Sequence, residues 1–349
     1  MKKDYIKIFD AVDSKKAKQE TENIIRMQAA GLYPQSFSYP VTLQFELTGA
    51  CNLKCKHCYN RSGDKDRIDY TRMTPNEWKI LARQIVEDGG IFQCIISGGE
   101  PLLLGDDLFD IMDILHDDGT SFVIITNGLL LDKQKVKRFT KYRYFWFQIS
   151  IDGSTATLHD EFRGVAGSWN NAINGAMEIA DKGIPLVIAH SVTPKTLPYL
   201  EDMVNLAYSV GAGSIMVGEI LPSGRAISNE DILLIHEQRN YLYEQINRLS
   251  QKYAGKIKIE RSMNVSSSME RYVSQPNSGG IIRPNGDFRL DCMAPFTIGN
   301  VLENSINDIW QTKGRTAWNN SKVLDYISSI DKEKQQGNIK NHVNDDIRL

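Results

Sequence analysis

No apolar run in this chain approaches the roughly 20 residues that a bilayer-spanning helix needs, so the sequence offers no membrane anchor of that kind. An excess of one charge is also missing. Lys and Arg number 41 against 43 Asp and Glu, a net of −2. That balance gives no electrostatic reason to expect nucleic acid or an anionic membrane as partner. The opening MKKDYIKIFDAVDSKKAKQE has lysines but no continuous apolar core behind them, so it does not read as a secretory signal. Cysteine is scarce: five in 349 residues, an odd count with three of them clustered. A disulfide framework is therefore not expected, and a cytoplasmic location is.

At 41% hydrophobic content the chain can bury a sizeable core. Its organisation is an alternation of strand and helix signals. VTLQFEL (41–47), IFQCIIS (91–97), SFVIIT (121–126), FWFQISI (145–151), PLVIAHSV (185–192) and SIMVGEIL (214–221) read as six strands. Helical patterns lie between them. One opens at TPNEW, with Thr74 as N-cap, Pro75 first in the helix and Glu77 third. A long helix is expected over about residues 228–252. Strands alternating with helices predict right-handed crossovers and a parallel sheet that curls. Six units fall short of the eight that close a barrel. The expected fold class is α/β: a partial (β/α)6 TIM-type barrel over 41–252, preceded by a helical extension over 1–40. Beyond it, KIKIE (256–260) and GIIRPNGDFRL (280–290) predict a small α+β appendage over 253–330. Residues 331–349 read as a polar, disordered tail.

In such barrels the chemistry lies at the C-terminal strand ends. Cys51, Cys55 and Cys58 leave the first strand at that end. Thiolates suit zinc or iron–sulfur clusters. Structural zinc wants four ligands. His57 could complete such a set, but its adjacency to Cys58 strains joint ligation of one ion. A 4Fe–4S cluster normally takes four cysteines, so three leave one iron open for a substrate or cosubstrate. Three structural thiols would be the plain alternative, at the cost of an oxidation hazard.

Cys51-x3-Cys55-x2-Cys58 after a first strand resembles the signature of radical S-adenosylmethionine (SAM) enzymes. The resemblance spans roughly residues 41–310. It implies one 4Fe–4S cluster on these three cysteines, with SAM chelated at the open iron and split to a 5′-deoxyadenosyl radical that takes a hydrogen from the substrate. It also implies an external electron donor of the flavodoxin or ferredoxin type. His57, before the third cysteine, would lie along the adenine. SGGEPLL (97–103) resembles the family's glycine-rich segment. Gly98 and Gly99 would let carbonyls approach the SAM ammonium, and Glu100 would add a carboxylate. In TNG (126–128) and SIDG (150–153), Asn127, Ser150 and Asp152 match positions near the SAM ribose and carboxylate. Each of these could equally be a strand-end cap or turn residue. Arg163, in HDEFRGVAGSW, would pair with the SAM carboxylate or the substrate, or form a surface ion pair. His190 would face the adenine or sit satisfied in the barrel core. LPSGRA (221–226) resembles a loop near the sugar.

Residues 281–310 resemble the SPASM or twitch appendage of radical SAM peptide-modifying enzymes, but with Cys292 as the sole cysteine. Cys94, in the second strand with Ile95 and Ile96 as neighbours, reads as a core thiol. Auxiliary clusters are therefore not expected. Cys292 is either vestigial or a hydrogen-atom donor of the kind used by radical SAM peptide epimerases. The leading expectation is a radical SAM enzyme that epimerises a residue of a ribosomally made peptide, which a leader segment could help to guide. The alternatives are a crosslinking maturase, a small-molecule radical SAM enzyme, and a non-catalytic zinc-binding interaction module.

Overall fold

The computed structural model describes residues 14–65, 73–262, 265–330 and 346–349. Helix α1 (Ser14–Ala29) leads to β1 (Thr42–Glu46). Then come α2 (Pro75–Glu87), β2 (Gln93–Ser97), α3 (Asp106–Asp117), β3 (Ser121–Thr126), α4 (Lys133–Phe139) and β4 (Tyr144–Ser150). The α5 (Ala156–Arg163) and α6 (Ser168–Asp181) pair precedes β5 (Leu186–Val192), α7 (Leu200–Ser209), β6 (Ser214–Glu219), α8 (His236–Lys252) and β7 (Lys258–Arg261). The chain continues through α9 (Val265–Ser274), β8 (Gly279–Ile282), β9 (Asp287–Asp291), β10 (Ala294–Asn300), α10 (Ile306–Thr312), α11 (Ser321–Ser328) and β11 (Ile347–Arg348). The strands form one open sheet in the order β11-β10-β9-β8-β1-β2-β3-β4-β5-β6-β7. All pairs from β8–β1 through to β6–β7 are parallel. This is the partial TIM-type barrel expected from the alternation.

Period-two patterning explains how the sheet is covered. Leu43 and Phe45 of β1 join the main core cluster, and the Phe45 ring lies 5.0 Å from that of Trp78 on α2. The buried Trp78 indole N–H donates to the Leu47 carbonyl at 3.1 Å, so its one polar atom is satisfied where β1 ends. The intervening Gln44 and Glu46 face the other side, and Gln44 Nε2 donates to Ser97 Oγ of β2 at 2.8 Å. The α2 capping box forms as the sequence implied: Glu77 N donates to Thr74 Oγ1 at 3.3 Å, and Thr74 N to Glu77 Oε2 at 2.6 Å.

Three expectations need correction. KIKIE does not belong to an appendage: β7 pairs with β6 in register Ser214↔Lys258 to Val217↔Arg261 and becomes a seventh parallel strand. The appendage strands are likewise continuous with the barrel sheet, because β8 pairs with β1 (Phe45↔Ile282) and β9 returns antiparallel on β8. The long helix begins at His236 rather than near 228, since two short 3-10 segments, Gly224–Ser228 and Glu230–Ile232, fold the preceding chain over the barrel. Residues 331–345 of the expected disordered tail lie outside the described residues. The last four do not fit that expectation: β11 pairs with β10, and Leu349 N donates to the Thr297 carbonyl at 2.9 Å.

Candidate active site

The loop after β1 is bound on three sides by main-chain contacts. Gly99 N donates to the Thr48 carbonyl at 2.6 Å and Glu100 N to the Ala50 carbonyl at 2.9 Å, tying the loop to the end of β2. Lys54 N and Lys56 N donate to the carbonyls of Arg163 and Phe162, both at 3.0 Å, tying it to the end of α5. Arg225 N donates to the Cys58 carbonyl at 3.0 Å, tying it to the loop after β6. The glycines at these crossings are sterically required. A Cβ on Gly99 would lie 1.9 Å from the Ala50 oxygen, and one on Gly224 would lie 2.3 Å from the carbonyl oxygens of both Cys58 and Tyr59.

Within this frame each sulfur meets a hydrogen-bond donor. Leu53 N lies 3.5 Å from Cys51 Sγ, Ser62 N lies 3.4 Å from Cys58 Sγ, and Arg163 Nη1 lies 3.6 Å from Cys55 Sγ. Burial pushes the Cys51 thiol up to about 12 and raises that of Cys55. These thiols stay neutral until a metal cation takes their deprotonated form. Among the described residues, no three or more His, Cys, Asp or Glu side chains converge closely enough to hold one metal ion. Three thiols on one loop, each with its own N–H donor and not converging on one point, fit a cluster in which every thiolate takes a separate iron. They fit a mononuclear zinc site poorly.

Behind the loop lies a buried ionic layer. Arg163 Nη2 sits 2.5 Å from Asp152 Oδ2, with side-chain exposures of 9% and 0%. Ser191 N donates to Asp152 Oδ1 at 2.7 Å, and His190 Nδ1 lies 3.9 Å from the same oxygen. Burial alone would raise the Asp152 carboxyl, but Arg163, the two histidines and the Ser191 N–H hold it below the usual carboxylate range. Burial lowers the His190 imidazole, opposed by the Asp152 carboxylate. His57 stacks on Phe162, with ring centres 4.6 Å apart and planes 5° from parallel, and burial lowers it to about 4.

Several residues read from the sequence as cosubstrate contacts have protein partners. Glu100 is fully buried and both its oxygens are taken: Oε1 accepts from Thr126 Oγ1 at 2.7 Å and Leu102 N at 3.0 Å, Oε2 from Asn127 N at 2.9 Å. It clamps the ends of β2 and β3 and is not an open carboxylate. Asp152 and Arg163 form a buried ion pair, so the surface ion pair weighed for Arg163 is not what forms. Asn127 Nδ2 donates to Asn52 Oδ1 of the cysteine loop at 2.8 Å. Gly98, at φ +133°, makes the turn out of β2. Ser150 ends β4, half-buried. Cys94 is fully buried in β2.

Sequence reasoning passed over two features. Arg225 donates from Nη1 to the Cys55 carbonyl at 3.2 Å and from Nη2 to Asp64 Oδ1 at 2.8 Å. Its place in LPSGRA, after a strand end, was the available signal. The second feature is a buried polar cluster between β1 and the β8–β9 hairpin. Tyr59 Oη donates to Glu46 Oε1 at 2.9 Å, and Arg283 Nε lies 3.8 Å from Glu46 Oε2. Arg283 Nη2 donates to Asn60 Oδ1 at 2.9 Å. Asp346 lies 3.1 Å from Arg289 Nη2 and 4.0 Å from Arg283 Nη1. Cys292 directly follows β9 and is half-buried. Burial, then Asp291, raise its thiol, and Glu46 is close enough to add to the effect.

Comparison with known proteins agrees with this geometry. The family model described as the radical SAM superfamily matches residues 45–207. An AdoMet-dependent heme synthase of Oleidesulfovibrio alaskensis is 32% identical over 184 residues, covering 53% of this chain and 46% of that protein. The antilisterial bacteriocin subtilosin biosynthesis protein AlbA of Bacillus subtilis is 26% identical over 282 residues, covering 79% and 60%. The chain thus spans about half the length of the curated relatives it matches. In fold it is similar to Streptococcus suis SuiB bound to S-adenosylmethionine, with a TM-score of 0.65 at 17% identity over 93% of this chain and 81% of that one.

Proposed function

We propose that this chain is a radical SAM enzyme, as the match of that family's model to residues 45–207 supports, that Cys51, Cys55 and Cys58 hold one 4Fe–4S cluster, that SAM binds at the iron they leave open, and that the enzyme inverts a residue of a ribosomally made peptide, with Cys292 as hydrogen donor. When bound, the cluster supplies the electron that cleaves SAM, and the 5′-deoxyadenosyl group so released supplies the hydrogen abstraction. The electron comes from an external one-electron donor of the flavodoxin or ferredoxin type.

The chain's own residues have separable tasks. Gly98 and Gly99 keep the β2 end against the cysteine loop. His57, Asn127 and Ser150 line the cosubstrate side, while Glu100, Asp152, Arg163 and His190 form the buried layer that fixes their positions. A peptide substrate is supported by the bacteriocin-biosynthesis relative and by a solved SuiB structure bound to its precursor peptide SuiA. The observation that carries epimerisation is the placement of Cys292. It is the one cysteine outside both the signature loop and the β2 core, and it directly follows β9, on the hairpin that β8 joins to β1. A thiol there returns a hydrogen atom to a substrate carbon radical without taking away an electron. Crosslinking needs a second one-electron oxidation, for which this chain has no set of additional cysteines. The heme synthase relatives keep a small-molecule substrate as the second reading.

The test is turnover of a precursor peptide in deuterated water. Epimerisation adds one deuterium at a single residue, and Cys292→Ala releases 5′-deoxyadenosine without forming the D-residue. Loss of two hydrogens from the peptide, or full D-residue formation by Cys292→Ala, would defeat the assignment.

A further inference from the structure

Resting on the peptide-substrate reading above, we propose that Arg283 and Arg289, together with the outer edge of β10, form a docking site for an acidic residue of the substrate peptide. Residues 346–349 occupy that site in the free enzyme and leave it when the peptide binds.

Both arginines lie on the inner face of the sheet. In the strand register Ile281 stands opposite Gln44, and Arg289 opposite Ile281, and residues directly opposite share a face. Gln44 and Glu46 are on the side away from α2, and Arg283 Nε lies 3.8 Å from Glu46 Oε2. The two guanidinium groups are buried and held in place. Arg283 Nη2 donates to Asn60 Oδ1 at 2.9 Å, and Arg289 Nε donates to the Ala294 carbonyl at 3.1 Å. A fixed, desolvated pair of guanidinium groups is a receptor for a carboxylate. Two further polar atoms border it without a hydrogen-bond partner: Glu46 Oε2 and Asn60 Nδ2, on side chains 1% and 4% exposed. Buried polar atoms in that state call for a ligand with both a donor and an acceptor. An acidic residue within a peptide has them, since its backbone N–H and C=O accompany the carboxylate.

The present occupant shows the pose and is loosely held. Asp346 Oδ1 lies 3.1 Å from Arg289 Nη2, and Oδ2 lies 4.0 Å from Arg283 Nη1. Both oxygens are buried, yet neither forms a hydrogen bond. Burial raises this carboxyl in spite of the two guanidinium groups, so the ionised side chain is not a snug resident. From Asp346 the chain runs on as β11, the outermost strand, parallel to β10 in the register Phe296↔Ile347 and Thr297↔Arg348. That ladder is two residues long, and both side chains are exposed. Arg348 reaches Glu303 at 2.8 Å, an exposed pair worth little. An extended segment with an acidic residue at its start thus lies on a sheet edge, which is how strand addition captures peptides. Main-chain pairing with β10 would hold a substrate peptide as it holds β11, and the arginine pair would select for its acidic residue.

The test measures binding and turnover on reconstituted full-length protein. The probe is a fluorescein-labelled, C-terminally amidated peptide copying residues 346–349, Asp-Ile-Arg-Leu, read by fluorescence anisotropy. Its Asn-Ile-Arg-Leu counterpart is the control. Asp346→Ala removes the internal competitor and should bind the Asp probe at least tenfold more tightly than wild type does. The same variant should bind the Asn probe at least tenfold more weakly than the Asp probe. Adding Arg289→Met to Asp346→Ala should abolish the preference. Unfolding midpoints are measured on both proteins, and if the Arg289→Met protein does not fold, the Asp-against-Asn preference of Asp346→Ala decides. In turnover, Asp346→Ala should lower KM for a precursor peptide with kcat unchanged. A structural clasp predicts otherwise: a lowered midpoint in Asp346→Ala, no probe binding and an unchanged KM. That result, or equal binding of the two probes, overturns the docking site and leaves the peptide reading standing. A probe that discriminates as expected, on an enzyme that leaves precursor peptides unmodified, overturns the peptide reading instead.

Discussion

Replacing Gly99 by Ala tests how the cysteine loop is held. Gly99 does not have a positive φ, so the penalty comes from contact alone. The added Cβ would sit 1.9 Å from the Ala50 oxygen and 2.6 Å from the Ala50 carbonyl carbon, both main-chain atoms that cannot rotate aside. Relief to an ordinary contact requires the Ala50 peptide, next to Cys51, to move by more than an ångström. Overpacking of this kind costs about 1–3 kcal/mol. The same shift strains two hydrogen bonds, Gly99 N to Thr48 O and Glu100 N to Ala50 O, worth about 0.5–1.5 kcal/mol each. The sum is about 2–6 kcal/mol, a large share of a typical domain's stability of about 5–15 kcal/mol. Urea unfolding of the apoprotein should show the lowered midpoint, and anaerobic reconstitution should show reduced iron per chain. Gly213→Ala is the control, since a Cβ there finds nothing nearer than the Leu186 oxygen at 3.9 Å. Equal midpoints and equal iron for the two variants would refute the steric reasoning.

Asp152→Asn leaves the buried Arg163 charge without its counter-ion and should cost about 3–5 kcal/mol, read as a shift in the urea midpoint together with poorer iron retention. Cys94→Ala should leave iron content unchanged, because that thiol lies in the β2 core away from the loop. Asp346 gives a pH signature. Burial, opposed by Arg289 and Arg283, raises its carboxyl from 3.8 to about 6. The folded chain therefore holds that proton more tightly than the unfolded one. The stabilising contribution is complete below about pH 4 and is lost as pH rises through about 6, a change of roughly 3 kcal/mol for a two-unit shift at 1.36 kcal/mol per unit. The difference between wild type and Asp346→Asn in urea unfolding at pH 4 and pH 7 should follow that sign, and a pH-independent difference would exclude it.

The barrel was legible because its signal is periodic. Strands such as 121–126 alternate with amphipathic helices, and Thr74-Pro75-x-Glu77 marks a helix start by local chemistry alone. The C-terminal strands were read correctly as strands but wrongly as a separate unit. Period-two patterning identifies β7 and β8, yet it says nothing about which edge each strand joins. The site was legible where it depends on spacing within one loop, as for the three cysteines. It was less so where burial decides a role. Glu100, Asp152 and Arg163 look like ligands in one dimension, and only the fold places their partners beside them. Arg225, Glu46 and Arg283 act across more than a hundred residues of sequence separation, and no local pattern marks such a contact.

Anaerobic reconstitution with iron and sulfide, followed by dithionite and SAM, addresses the cysteine loop most directly. We expect a brown protein with about four irons per chain, an electron paramagnetic resonance signal that changes when SAM is added, and release of 5′-deoxyadenosine, all lost together in Cys51→Ala, Cys55→Ala and Cys58→Ala. A colourless protein that takes up zinc at the same cysteines and releases no 5′-deoxyadenosine would contradict the assignment of this loop.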